Sequence, residues 1–357
     1  MTAPAQRPTS PSSTIPMASV GDMHVVSSTQ WDALVAGLGG VDTYTLAAYQ
    51  AVSTRLEPPG TRPVLLHFRS PDGDVALPLL VRPLPDGSGF DATSAYGYGG
   101  PVARTDGSVA AFGRSLDRWA RRNGVVSTFL RLHPLLGNVR LVPPTADLVE
   151  PGSTVAWDVA PARDLVSHMH PHHRRAVRRA DRAGLEVAVV RRPASLTGFR
   201  ALYEATMRRQ GADPFFYFAD DYWAALLAHG AELELVLVEG RLGGELVAAL
   251  LCFAKGPWLH YHLGGADDLG RTVGASNRCF LAAAEWAQSQ GMSTFHLGGG
   301  VGGSAQSSLF DFKHRYDPAG APLPFHVAKL VHDPRRYEEL AGTRSTSGFF
   351  PPWRRRA

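Results

Sequence analysis

Apolar and polar positions fall into short alternating runs, and the runs recur in the same order in the two halves of the chain. Val64-Leu65-Leu66-His67-Phe68 and Val75 to Val81 read as strands. Between them, Ser70-Pro71-Asp72-Gly73-Asp74 carries an Asp-Gly step that accepts the positive φ of a hairpin turn. A helical pattern from Val25 to about Tyr49 precedes them. A second, Gly107 to Asn123, follows and stops at Gly124, the residue type that closes a helix in the left-handed conformation. Val125 to His133 is the next strand. In the second half, helical patterns over Leu165 to Ala183 and Leu196 to Gln210 lead into Leu235 to Val238, a Gly243-Gly244 turn and Leu246 to Phe253. A helix from about Gly274 to Gln290 and a strand from Met292 to Leu297 complete the series.

The two series share residues as well as pattern. Tyr96, Gly99 and Gly100 recur as Tyr261, Gly264 and Gly265, each 165 positions on. Trp119-Ala120 and Gly124 recur as Trp286-Ala287 and Gly291, 167 positions on, and Ser127-Thr128-Phe129 as Ser293-Thr294-Phe295, 166 on. Three collinear blocks at a nearly constant offset indicate a duplicated α/β unit. Pro and Gly cluster between Pro143 and Ser153, which sets the expected boundary: one domain over 20–148 and one over 149–335, with tails at 1–19 and 336–357.

The chemistry concentrates in Phe295 to Tyr316, FHLGGGVGGSAQSSLFDFKHRY, which holds five glycines in the six residues from Gly298 to Gly303. Leu309 to Lys313 alternates like a strand, with Leu309, Asp311 and Lys313 on one face and Phe310 and Phe312 anchored on the other. A glycine-rich turn lets another molecule approach the main chain, and a lysine beyond it suits an anion or a developing oxyanion. A plain hairpin with a solvated lysine paired to Asp311 is the alternative.

Composition narrows the class. The 357 residues are 44% hydrophobic, enough for two cored domains, and the net charge of +4 permits a polyanionic partner without requiring one. Cys252 and Cys279 lack metal or redox spacing and read as buried reduced thiols. No apolar run reaches the ~18 residues of a membrane-spanning helix. The Pro-, Ser-, Thr- and Ala-rich start lacks the apolar core of a signal peptide, so a disordered tail on a cytoplasmic protein is expected, and Trp353 to Arg356 reads as a second loose tail. His168, His170, His172, His173, Arg174, Arg175, Arg178, Arg179 and Arg182 form a basic run, in which Arg175, Arg178, Arg179 and Arg182 share one helix face. That face is a footprint for phosphates, with a solvated amphipathic helix as the alternative. The histidines lack metal-ligand spacing and a carboxylate neighbour, so no metal is expected there.

The order helix, helix, antiparallel strands, helix, strand is similar to the GNAT acyltransferase fold. HHRRAVRRADRAGLEV at 172–187, TMRRQ at 206–210, FHLGGG at 295–300 and SLFDFKHRY at 308–316 give the chain a resemblance to the Fem-type aminoacyl-tRNA-dependent transferases. The resemblance implies an α/β (α+β) fold of two tandem GNAT-like domains, each a mixed, mostly antiparallel sheet flanked by helices. It also implies transfer of an aminoacyl group from tRNA to an amine of a peptidoglycan precursor or peptide-like natural product, forming an amide. By the same resemblance Lys313 stabilises the tetrahedral intermediate, and Tyr96, Tyr98, Tyr261, His262, Gly298, Gly299, Gly300 and Phe312 are expected to bind substrate. Arg174, Arg175, Arg178, Arg179 and Arg182 are expected to bind phosphate or tRNA. Aminoacyl-tRNA is the co-substrate, with no cofactor and no metal, and the expected molecule is a monomer with a small-molecule or peptide amine acceptor. The chain departs from the bridge-building members in having no room for a long helical hairpin, because Leu196 to Gln210 runs directly into Asp213-Pro214.

Arg271-Thr272-Val273-Gly274-Ala275-Ser276 partly copies the GNAT pyrophosphate loop, with Ser276 mismatched. It supports the alternative of an acyl-CoA-dependent N-acyltransferase using acetyl-CoA or another acyl-CoA; a capped helix start is its plain reading. His260 and His262 share one strand face and Tyr261 takes the other. With Tyr96 and Tyr98 at the matched positions of the first half, one of these side chains is a candidate to relay the amine's proton. Buried structural histidines are the plain reading, the amine's proton has the substrate itself as another acceptor, and the general base stays unassigned. A third alternative is an inactive protein that binds tRNA or precursor.

Overall fold

The computed structural model describes residues 17–300 and 307–355. The strands are β1 Met23–Val26, β2 Arg62–Phe68, β3 Val75–Pro83, β4 Phe90–Thr93, β5 Val125–Arg131 and β6 Asp147–Asp158, then β7 Glu186–Arg191, β8 Leu235–Leu242, β9 Glu245–Lys255, β10 Trp258–Ala266, β11 Thr294–Gly299 and β12 Leu323–Val331. The α-helices are α1 Ser28–Gly37, α2 Ala47–Ser53, α3 Val109–Arg122, α4 Leu165–His168, α5 Pro171–Arg182 and α6 Thr197–Gln210, then α7 Asp220–Ala228, α8 Asp268–Val273, α9 Ala275–Ser289, α10 Ser308–His314 and α11 Pro334–Ala341.

All twelve strands join in one sheet, ordered β1-β2-β3-β4-β5-β12-β6-β11-β10-β9-β8-β7. Only β4·β5 and β10·β11 are parallel. The sequence of parallel and antiparallel pairs therefore reads the same from either edge, with the antiparallel β12·β6 pair at its centre. This is the duplication in three dimensions. Trp119 and Trp286 each lie one turn before the end of their helix, α3 and α9. Gly124 (φ 67°) and Gly291 (φ 76°) each close that helix in the left-handed region. The parallel registers also agree, with Thr93 opposite Phe129 and Leu259 opposite Phe295.

The halves exchange strands at the centre. β6 follows the first half in sequence yet pairs with β11 of the second, while β12, which comes after the second half, pairs with β5 of the first. In the second half both sheet faces are covered. Cys279, Phe280, Ala283 and Ala284 of α9 pack with Val236, Val238, Leu250 and Cys252 on one side. Phe199, Leu202 and Tyr203 of α6 and Tyr222 and Trp223 of α7 pack with Leu235, Leu237, Leu251 and Phe253 on the other. Full burial of side chains such as Phe280 or Leu251 contributes roughly 1.5–3 kcal/mol each. Both cysteines are buried and unpaired.

Several local expectations are corrected. Val25 to Tyr49 is not one helix: β1 opens it, α1 ends at Gly37, and a 3₁₀ turn over Thr43–Thr45 precedes α2. Leu165 to Ala183 is two helices, because Pro171 starts α5 at the position where its missing N–H costs nothing. Leu309 to Lys313 is helix α10 and not a strand; the Ser307 hydroxyl caps it by accepting from Phe310 N. Of the expected tail 336–357, residues 336–355 are described and are not loose: α11 continues to Ala341, Phe350 is buried, and Trp353 Nε1 and Arg354 Nε donate to the buried Asp91 carboxylate at 2.8 and 2.7 Å. Most of the N-terminal tail lies outside the described residues, but the Ala18 carbonyl already accepts from Trp119 Nε1. No helix among the described residues is long and apolar enough to cross a membrane.

Candidate active site

Two cavities meet at Lys313. The larger, ≈ 620 Å³, runs along the start of α9 and is lined by Arg209, Arg271, Gly274, Ser276, Phe312 and Lys313 among others. The smaller, ≈ 250 Å³, lies between the halves and is lined by Tyr96, Tyr98, Arg131, Thr154, Tyr261, His262, Gly298, Gly299, Gly300 and Lys313. Tyr261 and Lys313 belong to both walls. Every residue expected to bind substrate thus lines one of the two cavities, with Phe312 on the larger.

Lys313 reaches this position because α10 is a helix. Phe310 and Lys313, three apart, both turn inward and are buried, while Asp311 is exposed and does not pair with the lysine. Lys313 Nζ donates to the Gly299 carbonyl at 2.7 Å and lies 5.3 Å from the centre of the Tyr261 ring. It has no carboxylate partner among the described residues, and burial lowers its pKa to about 7. Gly298 sits at a bulge with φ 73°, and a Cβ there would stand 3.4 Å from Tyr98 Oη and 3.7 Å from Lys313 Nζ. The glycine therefore leaves open the space between the phenol and the ammonium.

Tyr261 packs on Phe280 of α9, and His260 and His262 point to the opposite face, as strand alternation predicts. His262 Nε2 lies 2.7 Å from Tyr222 Oη, and burial holds its pKa down to about 3. Burial pushes the Tyr96 phenol up to about 12 and raises Tyr98 and Tyr261 in the same direction. Arg131 enters the smaller cavity with no carboxylate within ion-pair distance among the described residues, and burial lowers its pKa.

On α5, Arg175, Arg178, Arg179 and Arg182 are exposed and form no ion pair among the described residues. Arg174 differs: its guanidinium donates to the Ser167 and Met169 carbonyls and braces the turn between α4 and α5. His173 is buried against the Phe312 carbonyl at 2.8 Å, and its pKa is held down to about 4, chiefly by burial. α5 adjoins the larger cavity closely enough that a Cβ at Gly274 would stand 2.7 Å from the Ala176 carbonyl.

Sequence patterns carry no sign of a buried polar cluster where the halves meet. Asp42, His133, His260 and His296 are each almost wholly inaccessible. His260 Nε2 lies 2.6 Å from Asp42 Oδ2, His133 Nε2 3.3 Å from Asp42 Oδ1, and His260 Nδ1 3.4 Å from His296 Nδ1. Two of the four offered a sequence signal, His296 in the FHLGGG segment and His260 on the strand face it shares with His262; Asp42 and His133 offered none. Asp42, His133 and His260 offer ligand atoms within 4.8 Å of one another. The 2.6 Å contact is a hydrogen bond, shorter than the about 3.3 Å between two ligands of a tetrahedral zinc.

Residues 167–314 match the family model of an acetyltransferase (GNAT) domain. No curated protein matches the chain by sequence. Among solved structures the chain is similar to FemX, with a TM-score of 0.66 and 12% identity over 90% of this chain and 100% of that one. It is similar to the C-terminal domain of a putative lysylphosphatidylglycerol synthetase from Agrobacterium fabrum (TM-score 0.52, 13% identity, 85% and 92% covered). It is also similar to a tandem GNAT protein from the clavulanic acid biosynthesis pathway (TM-score 0.53, 12% identity, 87% and 98% covered). The molecule has the tandem GNAT fold. The stretch that matches the acetyltransferase (GNAT) domain model lies in the second half, and the two halves together share the fold of FemX.

Proposed function

We propose that the protein is an aminoacyltransferase that moves an aminoacyl group from aminoacyl-tRNA to an amine and forms an amide. The observation that carries this reading is Lys313, a buried ammonium without a carboxylate partner among the described residues, in the wall shared by the two cavities. A donor ester in one cavity and an acceptor amine in the other meet beside it. Attack generates an oxyanion, and a cation already desolvated at that point stabilises it without reorganisation. Phe312, Tyr261 and Gly298 to Gly300 shape the walls that orient the two substrates. The four exposed arginines of α5, beside the larger cavity, fit the phosphates of a tRNA acceptor stem. Beside Lys313 the smaller cavity is lined by the Arg131 guanidinium and by no carboxylate among the described residues, so Arg131 suits an anionic acceptor such as a peptide or precursor bearing a carboxylate. Such a reaction belongs in the cytoplasm, where charged tRNA is found.

An acyl-CoA donor is the second reading. Gly274, Ser276 and Asn277, at the start of the 15-residue helix α9, line the larger cavity where a pyrophosphate would lie. Against it, the Arg271 and Gly274 amides already donate to Asp267 and Gly270. Incubation with charged tRNA and, separately, acetyl-CoA over a panel of amines, read by mass spectrometry, separates the two. A new amide only with tRNA supports the proposal, and one only with acetyl-CoA replaces it.

A further inference from the structure

A continuous line of hydrogen bonds leads from the smaller cavity into the interior. Thr154 lines that cavity and is the cross-strand partner of Gly299, whose carbonyl holds Lys313. Thr154 Oγ1 lies 3.0 Å from His296 Nε2, His296 Nδ1 lies 3.4 Å from His260 Nδ1, and His260 Nε2 lies 2.6 Å from Asp42 Oδ2. Thr154 comes from β6, His296 from β11, His260 from β10 and Asp42 from the turn before α2, so only the assembled interface makes the line.

We propose that Thr154, His296, His260 and Asp42 form a proton relay that takes up the proton released by the attacking amine. The inference rests on the amide-forming reading above. With both rings neutral, only one arrangement of protons fits. The Asp42 carboxylate can only accept, so His260 Nε2–H donates to it. His260 Nδ1 is then an acceptor, His296 Nδ1–H donates to it, and His296 Nε2 accepts from the Thr154 hydroxyl. The hydroxyl oxygen keeps lone pairs for a substrate proton.

As the amine nitrogen bonds to the carbonyl carbon, its proton passes to Thr154 Oγ1. The hydroxyl proton moves to His296 Nε2, and the His296 Nδ1 proton moves to His260 Nδ1. The loaded relay is a His260 imidazolium against the Asp42 carboxylate, with His296 neutral in its other tautomer. When the bond from the carbonyl carbon to the leaving oxygen breaks, the same steps in reverse give that oxygen its proton. The surroundings agree with this placing of charge. Asp42 stays ionised well below the usual carboxylate range: His260 and His133 outweigh the burial that opposes ionisation. His296 is kept neutral first by burial and then by His260, His133 and Lys313. The remaining titratable neighbours facing the rings are Tyr44, Tyr98 and His262.

Two measurements test the relay. The first needs no substrate: long-range ¹H–¹⁵N correlation on histidine-labelled full-length protein across pH reads each tautomer. The relay requires the His296 proton on Nδ1 whenever His260 is neutral and on Nε2 whenever His260 is charged; any other pairing overturns it. The second is single-turnover amide formation with charged tRNA and an accepted amine, with a thermal melt of each variant. Thr154→Val keeps the shape and removes the hydroxyl, and should slow transfer on the order of 10²–10⁴-fold, while Thr154→Ser restores most of the rate. A folded Thr154→Val protein at full rate, or equal loss in both variants, overturns the proposal. If wild-type protein transfers nothing from tRNA but does so from acetyl-CoA, the donor reading fails and the same variants test the relay with that donor. If neither donor reacts, the amide-forming reading fails, and the relay as an acceptor of the amine's proton falls with it, whatever the tautomers show.

Discussion

Lys313 donates to the Gly299 carbonyl across 2.7 Å, joining helix α10 to the end of strand β11 on either side of the glycine-rich segment. The contact holds a buried ammonium at the meeting point of two cavities, and burial lowers its pKa to about 7. Position and pKa each lead to a measurable consequence.

Lys313→Ala is expected to lower the single-turnover rate on the order of 10²–10³-fold with little change in substrate affinity, because the lost interaction belongs to the transition state. The charged form is needed, so wild-type kcat/KM should fall as pH rises through about 7. Lys313→Arg keeps its charge and should lose that alkaline limb while recovering only part of the rate. A pH–rate profile of the three proteins checks this.

The same lysine should weaken the fold at low pH. Its pKa is about 7 in the folded protein against 10.5 for a solvated lysine, so folding disfavours the charged form. The resulting penalty is full below about 7 and fades as pH rises toward 10.5. Lys313→Met should therefore be more stable than wild type at pH 6 by a few kcal/mol, with the advantage shrinking by pH 10. Denaturant titrations at the two pH values read the difference.

Gly298→Ala should impair transfer more than it impairs folding. Its φ of 73° costs an alanine about 1–2 kcal/mol. The added methyl would enter the space between Tyr98 Oη and Lys313 Nζ. Binding of the acceptor amine, measured by calorimetry beside a thermal melt, distinguishes the two effects.

Arg178→Ala combined with Arg179→Ala should weaken tRNA binding at low salt, and the loss should diminish as salt rises, because counterion release drives such contacts. Both side chains are on the outer face of α5, so stability should change by less than about 0.5 kcal/mol. Filter binding of charged tRNA over a salt series measures it.

Truncation after Ser347 should destabilise the first half. It removes Trp353 and Arg354 from the buried Asp91, which retains Arg82 Nε at 2.6 Å. The loss of buried charge-assisted hydrogen bonds should cost about 1–3 kcal/mol, seen as a lower Tm.

The duplication was legible in the sequence because it rests on local chemistry. Trp119 with Gly124 and Trp286 with Gly291 mark the same helix end twice, and a left-handed glycine after an amphipathic run means the same thing wherever the chain goes next. The strands from Val75 and Leu246 declare themselves by apolar runs, and the Gly243-Gly244 turn by its residues. The resemblance in FHLGGG and SLFDFKHRY selected Lys313 and the glycines, and these do line one cavity system.

Local pattern could not reveal what depends on partners distant in sequence. Five residues from Leu309 to Lys313 suit a strand or a helix equally; the Ser307 cap, the burial of Phe310 in the core and the packing of Tyr316 against Trp157 and Phe280 made them helical, and only a helix buries Lys313 while Asp311 stays outside. The C-terminal arginines look like a solvated tail until the buried Asp91 gives one of them a partner. The exchange of β6 and β12 joins halves whose contacts span most of the chain. It also creates the line from Thr154 to Asp42, whose bonds cross 142, 36 and 218 residues. A histidine's neighbours fix its proton, and those neighbours exist only once both halves of the sheet have closed on each other.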